Sequence, residues 1–340
     1  MKRLAILGSI MAAGLAAAGL NAQGLPGIGA TEQVSEHVYK IFGAGGNTTF
    51  FIRSDGVVLV DTKLANNGAA ILAKVREVTD KPVTMIINTH SHPDHMGSNT
   101  EINTARGSVQ IVAHQNSANR INAMPNQAQV ATTFTDRLTL GSGADQIDLY
   151  YFGPAHTDGD AWVVYPAERV MNIGDVMAWD MGLLVDPMSG GSMVGTADTV
   201  AKAAAALTGV DRVIEGHGDA NTWAGFLRYV AYCRKVIEVA QRGNDEGLNY
   251  VEAYDKYFAT DPAMAPYIGE ALKPGLEYGG TPKSRSLNNI FIAMMELKGE
   301  KPPLIMGAPP PPGQPLPTGP GGGSGGRVPR NAPAGDEHVL

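Results

Sequence analysis

Short apolar runs separated by turn residues mark the chain up to about residue 240. Positions 38–42 read as a strand. Positions 47–53 and 57–61 flank Ser54-Asp55-Gly56, the turn chemistry of a hairpin. Val57-Val58-Leu59-Val60 lacks polar alternation, which predicts a strand covered on both faces. Between 66 and 79 the period changes, and Ile71, Leu72, Val75 and Val78 share one helical face. Positions 83–88 and 109–113 are further β-rich runs. A second half follows, with strands over 146–152, 161–165 and 169–173 and an Ala-rich helix over 198–207. A short strand at Val213-Ile214 precedes a long helix that Asn221 can cap and that runs through Gly243. Trp223, Phe226, Leu227, Val230 and Ile237 of that helix point toward a core. Residues 246–300 read as mostly helical, and 286–297 are strongly amphipathic. Strands and helices thus alternate through two similar halves of an α/β chain.

The densest chemistry sits where one β run ends. Val83-Thr84-Met85-Ile86-Ile87-Asn88 leads into Thr89-His90-Ser91-His92-Pro93-Asp94-His95-Met96-Gly97, and the chain looks helical again after Gly97. His90, His92, Asp94 and His95 can all bind a metal, in a chain with only eight histidines. A strand edge opening into a loop lets a rigid scaffold aim several side chains at one point. His90 and His92 can turn toward a common ion. One ion would be crowded by all four, so two adjacent ions sharing the loop is the simpler geometry. Imidazole and carboxylate without thiolate suit zinc, and also iron or manganese. His114 has no second donor at useful spacing and reads as structural, as do His37 and His338. Positions 179–195 carry Met181, Leu183, Leu184, Met188 and Met193 with few secondary-structure signals. They read either as an apolar lip beside the site or as a loop folded onto the body.

Composition narrows the class. The 340-residue chain carries a net charge of −7 and no long basic run, which argues against nucleic acid as the main partner and leaves a small-molecule substrate. Lys2 and Arg3 precede an apolar stretch over 4–20, so residues 1–22 read as a cleaved signal peptide. The stretch is short and weakly hydrophobic for a span, so the expectation is a periplasmic or secreted protein without stable membrane association. Cys233 is the only cysteine; it allows no internal disulfide and falls on an apolar helical stretch. The expected organisation is a main domain over 31–243, a helical extension over 244–300 and a Pro/Gly-rich tail over 301–340. That tail, with Pro309-Pro310-Pro311-Pro312 and Gly321-Gly322-Gly323, reads as disordered. In the extension, Tyr250, Tyr254, Lys256, Lys273 and Lys283 are candidates to reach a substrate. Oligomeric state is not written in any of these features.

His-x-His-x-Asp-His after a buried strand resembles the signature of the metallo-β-lactamase-fold hydrolases. Later segments follow in the family's order. Gly153-Pro154-Ala155-His156-Thr157-Asp158-Gly159-Asp160 resembles the segment of the third histidine, and Asn172-Ile173-Gly174-Asp175-Val176 that of a bridging aspartate. Glu215-Gly216-His217-Gly218-Asp219 resembles the segment of the last histidine. The resemblance spans roughly residues 33–240. It implies a four-layer αββα sandwich with metals at one edge of two inner sheets. By position, His90, His92 and His156 would hold one ion, and Asp94, His95 and His217 the other, with Asp175 bridging two zinc ions. Asp94 would also carry a proton in catalysis. Asp61 stands where the family has an acid behind the histidines, accepting a hydrogen bond from a ligand's far nitrogen; a plain strand-end turn residue is the alternative. Water between two such ions ionises near neutral pH, its pKa lowered from about 16 toward about 7, and can then attack a carbonyl or phosphoryl centre. Asp175 together with His95 is more similar to glyoxalase II, lactonases and other ester or thioester hydrolases than to the zinc β-lactamases. Export suits a β-lactamase, and an extra residue precedes His156 relative to the commoner Gly-His-Thr-Pro-Gly form. The expected activity is therefore hydrolysis of an ester, thioester, lactone or β-lactam. A β-lactamase proper, a mononuclear-iron enzyme like the persulfide dioxygenases and a non-catalytic binding module are the alternatives.

Overall fold

A computed structural model of the protein describes residues 27–273, 280–305 and 308–314. The expected signal peptide and most of the Pro/Gly tail lie outside the described residues. One sheet has seven strands in sequence order: β1 (Thr31–Gln33), β2 (Val38–Ile41), β3 (Thr48–Ile52), β4 (Val57–Val60), β5 (Val83–Asn88), β6 (Gln110–His114) and β7 (Thr132–Phe134). The second has six, β8 (Arg137–Leu140), β9 (Ile147–Tyr150), β10 (Trp162–Tyr165), β11 (Val170–Asn172), β12 (Arg212–Ile214) and β13 (Asn221–Thr222), again in chain order from one edge to the other. Strands β1 to β4 are antiparallel, whereas β4 to β7 run parallel.

The four apolar residues of β4 explain the layering. Alternate side chains of a strand face opposite sides. Val58 and Val60 enter a core shared with Val163, Tyr165 and Ile214 of the second sheet, so the two sheets pack face to face. Val57 and Leu59 face the other way, onto Ile71 and Val75 of α1 (Gly68–Arg76), Ile102 of α2 (Asn99–Arg106) and Ile121 of α3 (Gln115–Ala123). The outer face of the second sheet buries Trp162, Val164 and Met171. Three helices cover it: α4 (Met193–Ala206), α5 (Trp223–Glu246) and α6 (Pro282–Leu297). This is the αββα sandwich with a C-terminal helical part.

The 244–300 segment shares this core, since Ile290, Ile292 and Ala293 of α6 bury in one cluster with Phe226 and Cys233 of α5. Glu296 of α6 reaches the start of α4, accepting from Val194 N at 2.8 Å and Ser192 Oγ at 3.0 Å. The tail is not wholly apart either. Ile305 is buried, and Tyr250 donates its hydroxyl to Pro310 O at 2.8 Å. Proline offers no N–H to satisfy, so such a segment docks through its carbonyls and ring faces.

Two helix starts differ from expectation. Asn66 takes a left-handed backbone (φ 68°), so α1 begins later, at Gly68. Asn221 is held in β13, its side chain donating to Glu215 and Asp180, and the cap of α5 passes to Thr222, whose Oγ1 accepts from Gly225 N at 3.1 Å. Strands β1, β7 and β8 and helix α3 carry too little apolar periodicity to be foreseen.

Candidate metal centre

The loops after β5, β9, β11 and β12 converge at one edge of the two sheets. Each strand end is anchored by burial, so the loop residues are held by rigid neighbours. The first loop supplies His90 and His92 and then turns into one helical turn, Pro93–Met96, that carries Asp94 and His95. Pro93 sits at the start of that turn, where its missing N–H costs nothing. The loop before β10 supplies His156 and is pinned by Asp160. That carboxylate accepts from Thr157 N at 2.9 Å and Thr157 Oγ1 at 2.6 Å. After β11, Gly174 takes φ 51° and lies against the Thr89 side chain, which lets the chain swing Asp175 into the cluster. After β12 comes His217. Its neighbour Gly216 packs so tightly on Asp175 that any Cβ there would collide with Oδ1.

All seven residues singled out from the sequence come together. His90, His92 and His156 form one group able to hold an ion, Asp94, His95 and His217 a second, and His90, His95 and Asp175 a third that links them; within each group the ligand atoms lie within 4.8 Å of one another. His92 Nδ1 and His156 Nε2 are 2.9 Å apart. His95 Nε2 lies 3.3 Å from His217 Nε2 and 3.2 Å from Asp175 Oδ1. Asp94 Oδ2 is 3.2 Å from His217 Nε2, and Asp175 Oδ2 is 3.5 Å from the same nitrogen. Nitrogens and carboxylate oxygens therefore point at shared space rather than away from it.

The far sides of the His90, His92, His95 and His156 rings are held. Asp61 accepts from Thr89 N at 2.8 Å and Thr89 Oγ1 at 2.6 Å, and its Oδ2 sits 2.7 Å from His95 Nδ1. It adopts φ 62°, so it both makes the strand-end turn and backs a ring. His156 Nδ1 meets Leu184 O at 2.5 Å, which fixes its proton on that side and leaves Nε2 bare. His92 Nε2 lies 2.9 Å from Asp186 Oδ2. Asp186 was not foreseen, since a lone acid before Pro187 carries only a helix-cap signal, and it does cap, accepting from Met188 N at 2.9 Å. His90 Nδ1 faces Thr89 Oγ1 at 3.0 Å.

Two buried atoms test whether a metal suits these residues. His90 Nε2 and Asp175 Oδ1 are buried among the cluster without a hydrogen-bond partner. Such atoms are rare unless something else binds them. Burial, aided by the neighbouring rings, holds His90 and His156 well toward the neutral form that ligates, His156 down to about 4. Burial alone would raise the Asp175 carboxyl, yet the facing His95 and His217 outweigh it and keep it ionised. Conversely burial would lower His217, but Asp175 beside it raises it to about 9. The carboxylates thus hold positive charge close by. An oxygen and nitrogen donor set without thiolate, with orphaned ligand atoms, fits divalent ions.

The metallo-beta-lactamase superfamily model matches residues 42–219, more than half of the chain. This protein belongs to the metallo-beta-lactamase superfamily. That family binds metal ions, and the His/Asp groups above could hold them in this chain. The alpha subunit of 2,4-dinitroanisole O-demethylase from Nocardioides sp. (strain JS1661) is 30% identical over 152 residues, 43% of this chain and 46% of that protein. The chain thus matches less than half of that relative's length. Among solved structures, a metallo-beta-lactamase from Pontibacter korlensis aligns with TM-score 0.52 at 16% identity, covering 61% of this chain and 99% of that one. A stereoselective inverting sec-alkylsulfatase from Pseudomonas sp. aligns with TM-score 0.61 at 16% identity, covering 77% and 49%. These structural likenesses speak for the fold.

A cavity of about 360 Å³ opens onto the candidate ligands His92, Asp94, His156, Asp175 and His217. The 179–195 segment divides between its two readings. Trp179, Met181 and Leu184 line the cavity, whereas Leu183 and Met193 bury in the core and Met188 is 63% exposed. The Trp179 ring stacks on His217, 4.4 Å between centroids. None of Tyr250, Tyr254, Lys256, Lys273 or Lys283 lines this cavity; Lys256 and Lys283 are engaged by Glu246 and Glu270, each at 2.7 Å. The helical part instead contributes Arg285, with Leu304 beyond it. His114 is structural: it caps α3 through Nδ1, meets Thr135 O through Nε2 and stacks on Tyr151. His37 pairs with Glu168 at the surface, and His338 lies outside the described residues.

Proposed function

We propose that the protein is a binuclear, zinc-dependent hydrolase of a small ester-type substrate: a carboxylic ester, thioester, lactone or β-lactam. The observation that carries this reading is the meeting of seven candidate ligand side chains in three overlapping groups, five of them lining one cavity, with His90 Nε2 left buried and unpartnered. His90, His92 and His156 would hold one ion; Asp94, His95 and His217 the other; Asp175 both. When bound, the ions supply a water acidic enough to ionise near neutral pH and a Lewis acid for the oxygen that gains charge. The chain's own residues do the rest. Asp61, Asp186 and the Leu184 carbonyl orient the rings from behind. Asp94 lines the cavity and would move a proton between the attacking water and the leaving group. Trp179, Met181 and Leu184 give the substrate an apolar wall and exclude water. Residues 1–22 direct export, and N-terminal sequencing of protein from the expressing cell should begin at Gln23.

The test is turnover by zinc-loaded full-length protein on a chromogenic cephalosporin, a nitrophenyl ester, a thioester and a lactone, with and without chelator. Turnover of at least one, abolished by chelator and restored by zinc, is the expected result. Turnover that ignores chelator, or a zinc-loaded protein inert on all four, overturns the proposal. Preference for the cephalosporin would make it a β-lactamase proper.

A further inference from the structure

Among the described residues, Arg285 is the only Arg or Lys lining the cavity. It sits in the first turns of α6 and is 3% exposed. Its Nε and Nη1 are buried with no hydrogen-bond partner, and no ion pair among the described residues includes it. The other two Lys or Arg residues that are buried among the described residues are answered. Lys63 donates to Ile41 O at 2.8 Å and Gly46 O at 2.9 Å, and Lys40 pairs with Glu32 at 2.9 Å. A buried guanidinium with open donors is costly, and such a group calls for something that completes it. Burial lowers its pKa only to about 10, so the charge persists at neutral pH. The cavity lining therefore has three parts: candidate metal ligands, the apolar Trp179, Met181, Leu184 and Leu304, and, among the described residues, one Arg or Lys cation from the helical part.

We propose that Arg285 receives an oxyanion carried by the substrate, so that the protein takes amphiphilic monoanions, an apolar segment bearing a carboxylate or sulfate. The planar guanidinium fork matches either oxyanion with paired N–H donors. The apolar wall would take the hydrocarbon portion. The inference rests on the hydrolase reading only for where the scissile bond lies; anion capture itself needs nothing but this side chain. Arg285 is in this account a specificity-determining residue supplied from outside the sandwich.

The experiment is equilibrium binding of octanoate, octyl sulfate and 1-octanol to the full-length protein, metal-loaded and metal-stripped, read by calorimetry and by quenching of tryptophan fluorescence. At least one anion should bind about tenfold or more tighter than the alcohol, as a charge-assisted pair in a desolvated site does. The tighter of the two names the oxyanion. Arg285→Met should erase the preference, and Arg285→Lys, which keeps the charge without the fork, should reduce it several-fold. The preference should survive metal removal. No preference in the unaltered protein, or one unchanged in Arg285→Met or lost with the metal, overturns the proposal. Should the Met variant not fold, an unchanged preference in Arg285→Lys does the same. The metal-stripped arm keeps the two readings apart: a chain that takes up no zinc would sink the hydrolase while leaving anion capture by Arg285 standing.

Discussion

At the scale of single residues, the side chains that would bind metal are distinct from those that hold them in place. His92→Ala and Asp175→Ala remove a ligand and should each strip most metal and activity; full metal content with full activity in either variant would reject the ligand assignment. Asp186→Ala leaves every ligand in place but frees the far nitrogen of His92. Its expected cost is about 10- to 100-fold in metal affinity, measured by competition with a chromophoric chelator. The meeting of the seven candidate ligands is legible in the sequence because they cluster: four lie within six positions, and the other three sit in short glycine-rich segments at strand ends. Asp186 and Arg285 were not, because an acid before proline and an arginine on an amphipathic helix look ordinary until the fold brings them to the cavity. Cys233 was legible as core, and it is fully buried, with burial raising its thiol to about 12. A thiolate fraction of about one in ten thousand at pH 8 follows, so iodoacetamide should label it only after denaturation. Rapid labelling of the native protein would contradict that burial.

At the scale of elements, hydrophobic period decided most of what the sequence revealed. Runs such as Val57-Val58-Leu59-Val60 and the face of Ile71 and Val75 announce their own burial. Edge strands β1, β7 and β8 do not, since they are polar and gain their shape from neighbours. Helix starts were shifted where backbone or pairing intervened, as at left-handed Asn66 and strand-bound Asn221. Thr222→Ala removes the observed cap of α5 and should lower stability by about 1 kcal/mol, read from chemical denaturation. Asn221→Ala acts on Glu215 and Asp180 instead and should leave the helix cap intact. Ile292→Ala, fully buried where α6 meets the body, should cost about 2–5 kcal/mol. A loss below half a kcal/mol would mean that α6 is not packed as described.

At the scale of the molecule, the two halves are tied where the site lies. Asn47, in the loop before β3, donates to Glu215 O and Gly218 O, both at 3.0 Å, and its backbone N–H reaches Gly216 O at 2.7 Å. Lys40 of β2 reaches Gly218 O at 3.1 Å. The His217 loop is thus held from the first half, and the helical part adds Arg285 to the cavity lining. The layered plan followed from alternating strands and helices together with the family resemblance, whereas the docking of α6 on the same core depends on contacts between residues far apart in sequence. The central claim is that this centre holds two ions. The most direct measurement is metal stoichiometry of the full-length protein, purified without chelator, dialysed against zinc and analysed by plasma emission spectrometry beside the Asp94→Ala and His92→Ala variants. Two ions per chain are expected, with most of that metal lost in each variant. A single ion in the unaltered protein, above all one iron that zinc does not displace, would contradict it and favour the mononuclear alternative.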